Sequence, residues 1–250
     1  TSGDTGSAAI DALAGRAGID IFMLHPRDRI SDVQRRQMTT VLAPNVHNIA
    51  IEGSFDDAQS LVKAMFNAPD FAARFNLGAV NSINWARLMA QVVYYFYSAV
   101  RLGAPDRPVA FSVPTGNFGD VFAGYVAAKM GLPVRALSSG GYSVGGLTPT
   151  AAPSMDIQVS SNFERLLFDL GGRDGAATAT QMRSFEASKA MALTPAQRSG
   201  AALFHSDRID ADEMAMAMRW AHDATGHVID PHTAIGLAAA RRAGIDDVPV

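Results

Sequence analysis

Cysteine is absent from the 250 residues. That excludes disulfides and thiol chemistry and favours a cytoplasmic location. No apolar run reaches the roughly 18 residues that a membrane-spanning helix needs, so no membrane partner is expected. Charged residues are only 18% and the net charge is −3, so no basic field invites nucleic acid. The six histidines are scattered. None pairs with another at metal-ligand helical spacing beside carboxylates, and no Ser-His-Asp set emerges from spacing, so no metal is expected. The opening Thr1-Ser2-Gly3-Asp4 carries no signal-peptide pattern. Asp247-Val248-Pro249-Val250 reads as the beginning of a strand, and both ends read as cut within a fold.

What is present is a 48% hydrophobic composition and an alternation of short β-rich runs with helical ones. Residues 18–26 read as a strand ended by Pro26, and residues 29–39 as a helix capped by Ser31. Residues 46–53 read as a third strand and 55–66 as a helix. A long apolar helix is predicted over 88–102, a buried strand over 108–113 and a helix from Val121 to Met130. Further helices are predicted over 8–15, 163–170, 174–200 and 208–225, with a last Ala-rich one after Gly236. Such an order predicts an α/β fold with parallel sheets covered by helices. Residues 134–137 start a strand that runs at once into serines and glycines. The chain is therefore expected either to be interrupted between Val134 and Ser139 or to lack a strand beside residues 108–113.

Pro114-Thr115-Gly116-Asn117-Phe118-Gly119-Asp120 joins a buried strand to a helix. Two readings fit it. In one, the glycines let a phosphate approach the free N–H groups of the helix start. In the other, it is an ordinary turn capped by Asp120. The polar run from Thr1 to Ser7 invites the same choice between an anion site and a capped helix start at Ala8. Asn81-Ser82-Ile83-Asn84-Trp85-Ala86-Arg87 is unusually polar for the entrance of an apolar helix. Ser82 and Arg87 either converge on an anion, Arg supplying a fixed fork of donors, or stand as a plain polar helix start.

These stretches, with Gln34-Arg35-Arg36-Gln37-Met38-Thr39-Thr40, Pro153-Ser154-Met155-Asp156-Ile157, Ser161-Asn162-Phe163-Glu164-Arg165 and Asp230-Pro231-His232-Thr233-Ala234, resemble the threonine synthase family, in its order and over nearly the whole chain. The resemblance implies two parallel-sheet lobes of the tryptophan-synthase-β type (fold type II), truncated at both ends, with residues 1–86 in a small lobe and 87–250 in a large one. It implies a pyridoxal 5'-phosphate lyase of threonine biosynthesis that converts O-phospho-L-homoserine and water to L-threonine and phosphate. The alternatives are a related pyridoxal-phosphate dehydratase and a catalytically incomplete phosphate-binding fragment. By resemblance, Gly116, Asn117, Phe118, Gly119 and Asp120 hold the cofactor phosphate and Asp4 lies at the cofactor. Ser2, Gly3, Thr5, Ser82 and Arg87 face the substrate. The family's Schiff-base lysine belongs to a Phe-Lys-Asp stretch upstream of Thr1, so no catalytic residue is assigned and the chain alone is expected to be inactive. The family's Thr-Ala-His-Pro stretch is likewise placed after Val250. Asp28 stands where the family usually has Gly, which puts a positive φ at that turn in question.

Overall fold

Short strands that alternate with amphipathic helices leave each sheet face to be covered by a helix. The computed structural model follows that logic, and it describes residues 4–28, 30–138, 150–155 and 159–250. It divides into two compact units, Thr1–Asn81 and Ser82–Val250.

The first unit contains α1 (Asp4–Leu13), β1 (Ile21–Pro26), α2 (Asp32–Thr39), β2 (Val46–Ile51), α3 (Phe55–Phe66) and α4 (Pro69–Phe75). β1 and β2 pair in parallel, from Ile21 opposite Val46 to Pro26 opposite Ile51. Ile10, Ile21, Met23 and Met38 form the core between sheet and helices. Ser31 caps α2 in a reciprocal box with Gln34, satisfying two backbone donors that the helix leaves open. Helix α1 starts at Asp4 rather than Ala8, so Asp4, Thr5, Gly6 and Ser7 form its first turn instead of a loop before it. The sequence reading passed over α4, although Pro69 at its start and a left-handed Asn76 at its end are the usual stop and start signals. Asp28 keeps a positive φ of 56°, so the turn geometry survives the loss of glycine.

The second unit contains α5 (Trp85–Arg101), β3 (Val109–Ser112), α6 (Gly119–Lys129), β4 (Val134–Ser138), a 3-10 turn (Pro153–Met155), α7 (Phe163–Leu170), α8 (Gly175–Ser188), α9 (Pro195–Gly200), β5 (Phe204–His205), α10 (Ala211–Thr225) and α11 (Pro231–Ala243). The sheet order is β3-β4-β5, all parallel. The missing-strand expectation is overturned. β4 is a complete strand running in sequence from Val134 to Ser138, and it pairs with β3 from Val109–Val134 to Ser112–Ser138. Ser138 continues the ladder where the sequence reading stopped at Leu137, and an irregularity between Val109 and Ala110 absorbs the register. The Gly/Ser-rich run beyond it lies outside the described residues. The predicted helix over 174–200 is two helices: Lys189 ends α8 in the left-handed region, and Thr194 restarts α9 through a capping box with Gln197. Residues 247–250 form no strand, yet the Ala110 N–H donates to the Pro249 carbonyl at 2.8 Å.

Leu88, Tyr95 and Ala99 of α5 pack with Val121, Ala123 and Ala127 of α6 and Val109 of β3 in the main core. A polar clasp closes its edge. The Tyr125 hydroxyl donates to Asp169 Oδ2 at 2.6 Å, and Arg173 Nε donates to Oδ1 at 2.7 Å. These bonds, the tyrosine's first, hold the Asp169 carboxyl below the usual carboxylate range.

Candidate functional site: an uncapped helix start and its tethers

Strand β3 delivers the chain, through Val113 and Pro114, to the loop that opens α6. Phe118 is the residue before the helix, and its backbone is left-handed (φ 61°). An L-residue pays for that conformation. The ring is only 6% exposed and packs edge-on against Phe163 at 5.3 Å between centroids, so burial offsets the strain. The resulting helix start has no side-chain cap, which corrects the reading in which Asp120 caps the turn. In contrast, α2, α3, α5, α8, α9, α10 and α11 all receive one. First-turn N–H groups have no intrahelical acceptor, and a left-handed residue at such a start makes a concave set of donors suited to an anion.

The loop's carbonyls are engaged by residues 160–162. Ser160 Oγ donates to the Gly116 carbonyl at 2.5 Å. The Asn117 carbonyl accepts from the Asn162 backbone N–H at 3.1 Å and from its Nδ2 at 3.0 Å. Ser161 Oγ donates to Asn117 Oδ1 at 3.2 Å. Donors therefore neutralise the acceptor side of the loop. A Cβ on Gly119 would stand 3.4 Å from Asn162 Nδ2, 3.5 Å from Leu88 Cδ2 and 3.6 Å from Gln91 Oε1, so the helix start is closely packed. The Tyr95 hydroxyl donates to the Asp120 carbonyl at 2.8 Å. Burial pushes the Asp120 carboxyl up, and a hydrogen bond from Tyr95 partly opposes it.

Ser82 and Arg87, both half-buried, lie at the entrance of α5, where Asn84 caps the helix through Ala86. Asn162 Nδ2 also donates to the Ser82 carbonyl at 3.1 Å, so a single side chain touches the Ser82 segment and the Gly116–Asp120 loop. Sequence reasoning gave Asn162 and Arg165 no such tie. Asp4 and Thr5 belong to the first unit, where Gln34 Nε2 donates to Asp4 Oδ1 at 2.8 Å. Ser2 and Gly3 lie outside the described residues. Lys63, Lys129 and Lys189, the chain's three lysines, are all exposed.

Two further motifs meet at the foot of α11. Asp230 caps the helix and accepts from His232 Nδ1 at 2.8 Å. Burial pushes its carboxyl up, but bonds from Thr233 and His232 outweigh that and hold it at about 2. The Ser154 N–H donates to His232 Nε2 at 3.4 Å. Ser112 Oγ donates to the Gly236 carbonyl at 2.6 Å, seating α11 at the end of β3.

The sequence profile of the family described as "Pyridoxal-phosphate dependent enzyme" matches residues 1–247. The chain belongs to this family. A threonine synthase from Pseudomonas aeruginosa is 52% identical over 256 aligned residues, covering 96% of this chain and 55% of that protein. A crystal structure of pyridoxal-phosphate-bound threonine synthase from Brucella melitensis superimposes with a TM-score of 0.88 at 49% identity, over 100% of this chain and 57% of that one. Yeast threonine synthase gives a TM-score of 0.84 at 38% identity, over 99% and 55%. The chain thus spans about half the length of the threonine synthases it matches. Family membership fits the site found independently. An uncapped helix start after a parallel strand, with its carbonyls engaged, presents backbone donors of the kind an anion accepts.

Proposed function

We propose that this chain is the phosphate-holding part of a threonine synthase, converting O-phospho-L-homoserine and water to L-threonine and phosphate. One observation carries the reading: the uncapped α6 start is tied through Asn162 to the Ser82 segment, in a chain 52% identical to a threonine synthase. Pyridoxal 5'-phosphate, when bound, supplies the electron sink that such a reaction needs.

The residues present then divide the work. Backbone N–H groups of Gly116 to Asp120 hold the cofactor phosphate, and the helix dipole favours it there. Phe118 wedges the loop in place. Ser82 and Arg87 take the substrate phosphate, which a dehydratase substrate lacks. By resemblance, Asp4 and Thr5, with Ser2 and Gly3, are assigned to the cofactor ring and the substrate. The lysine that would carry the cofactor lies outside this chain, because all three of its lysines are exposed on or beside helices. The chain accordingly works within a longer polypeptide, in lobes divided near residues 86 and 87, in the cytoplasm, with no nucleic-acid or membrane partner.

The test is a threonine and phosphate assay on the full-length protein, with phosphohomoserine as substrate. Both products should appear in equal amounts, and absence of threonine would refute the reading. The 250-residue chain alone, treated with pyridoxal 5'-phosphate and borohydride, should show no specifically labelled lysine.

A further inference from the structure

We infer that Asn162, with Arg165 as its second arm, is a positioning residue that sets the spacing between the two anion-holding segments. The inference rests on the functional reading above and deepens it. Asn162 is completely buried. A buried amide has two N–H donors and one carbonyl acceptor to satisfy. Here Nδ2 donates to the Asn117 carbonyl in the cofactor-phosphate loop and to the Ser82 carbonyl in the substrate segment. Oδ1 accepts from Arg165 Nε at 3.1 Å. Arg165 then extends the grip, its Nη2 donating to the Ile83 carbonyl at 2.6 Å. Its guanidinium also lies 5.9 Å from the Trp85 ring, at the first residue of α5.

Three bonds therefore reach two segments, the loop at Asn117 and the turn at 82–83, a fourth joins the two arms to each other, and the guanidinium rests near the start of α5. The pair stands at i and i+3 across the start of α7, so one helix end presents both arms together. Asn162's side-chain amide is committed to these bonds, and so are Nε and Nη2 of Arg165. Their effect passes through Asn117 to the loop and through Ser82 and Ile83 to Arg87. A carboxylate at 162 replaces two donors with lone pairs facing two carbonyls. It would push the loop and the turn apart, whereas a lysine at 165 cannot reach Asn162 and Ile83 at once.

The experiment uses the full-length protein with Asn162→Asp and Arg165→Lys. It measures dissociation constants for pyridoxal 5'-phosphate and inorganic phosphate by fluorescence, steady-state kinetics with phosphohomoserine, and thermal melting. We expect Asn162→Asp to weaken cofactor binding and raise KM at least tenfold each. Arg165→Lys should raise KM and the phosphate dissociation constant about fivefold, with cofactor affinity and kcat within twofold of wild type. Melting shifts with both binding constants and KM unchanged would overturn the proposal, since a merely structural asparagine behaves so. Should Asn162→Asp fail to fold, Arg165→Lys decides alone: an unchanged KM and phosphate constant overturns the proposal. Should the wild-type protein make no threonine, the functional reading falls, while the two binding constants still test the latch.

Discussion

Phe118 sets up a reversal of the usual glycine penalty. In ordinary backbone, glycine is the worse replacement for a large residue, costing about 0.5–1 kcal/mol more than alanine. At φ 61° the order inverts, because an L-residue there bears roughly 1–2 kcal/mol of steric cost that glycine does not. Phe118→Ala keeps the strain and loses a ring that is 6% exposed and stacked edge-on against Phe163. Truncating such a phenylalanine costs about 3–5 kcal/mol. Phe118→Gly loses the same ring but sheds the strain, so it should be more stable than the alanine variant by about 1 kcal/mol. Urea titrations at constant m-value compare the two midpoints. A glycine variant less stable than the alanine one would refute the claim that ring burial holds a strained loop. An alanine variant within about 1 kcal/mol of wild type would refute the wedge itself.

Asp28→Gly removes the same kind of strain at an exposed turn (φ 56°), and denaturant unfolding should find it neutral to about 1 kcal/mol more stable. Gly236→Val puts a Cβ 3.0 Å from Pro114 Cδ, a ring that cannot swing away, and should lower the midpoint by about 1–3 kcal/mol in the same assay. Asp169→Asn should cost about 1–2 kcal/mol at pH 7 by losing charge-assisted bonds from Tyr125 and Arg173. Because the folded Asp169 pKa lies below its unfolded value, its stabilisation is complete above the unfolded pKa, near 4, and disappears as pH falls through the folded one. Stability measured from pH 7 to pH 2 should therefore show wild type and Asp169→Asn converging in acid.

Periodicity carries the parallel α/β order because parallel strands in such folds are short and apolar, as Ile21–Leu24 and Val109–Phe111 are, although Phe22 leaves one face of β1 exposed. The cap at Ser31 is readable from its side chain and falls where the sequence puts it, whereas Asn84 reads only as part of a polar stretch and α5 starts three residues before the predicted Leu88. β4 reads in the sequence only as a start over 134–137, because serine in its last position imitates a loop and only the neighbouring strand makes Ser138 part of a ladder. β5 escaped because two residues carry no period at all. In the site, the loop 116–120 declares itself through glycines between a strand and a helix. The tether at Asn162 does not, since its partners are carbonyls 45 and 80 positions away, and carbonyls have no sequence identity. Its only local sign is an Asn-Phe-Glu-Arg helix start in which the asparagine makes no cap bond.

That failed cap bears on how, in the proposed reading, a chain of net charge −3 would hold an anion. Charge counting speaks of long-range fields, which solvent screens within about 8–10 Å. A phosphate at α6 answers instead to a few fixed N–H dipoles whose own carbonyls are already spent on Ser160 and Asn162. Asn162 forgoes capping its own helix α7 and directs its amide to Asn117 and Ser82. The helix that most needs an open N-terminus thereby keeps one, and a neighbouring helix supplies the donors that quiet the opposing carbonyls. Asp120, in the first turn of α6, sits where its negative charge would compete with the ligand. Its burial pushes the carboxyl toward the neutral form, the same direction in which a bound phosphate would push it. The site is therefore built from backbone polarity and from the suppression of nearby negative charge, and surface lysine or arginine need not be added to make it.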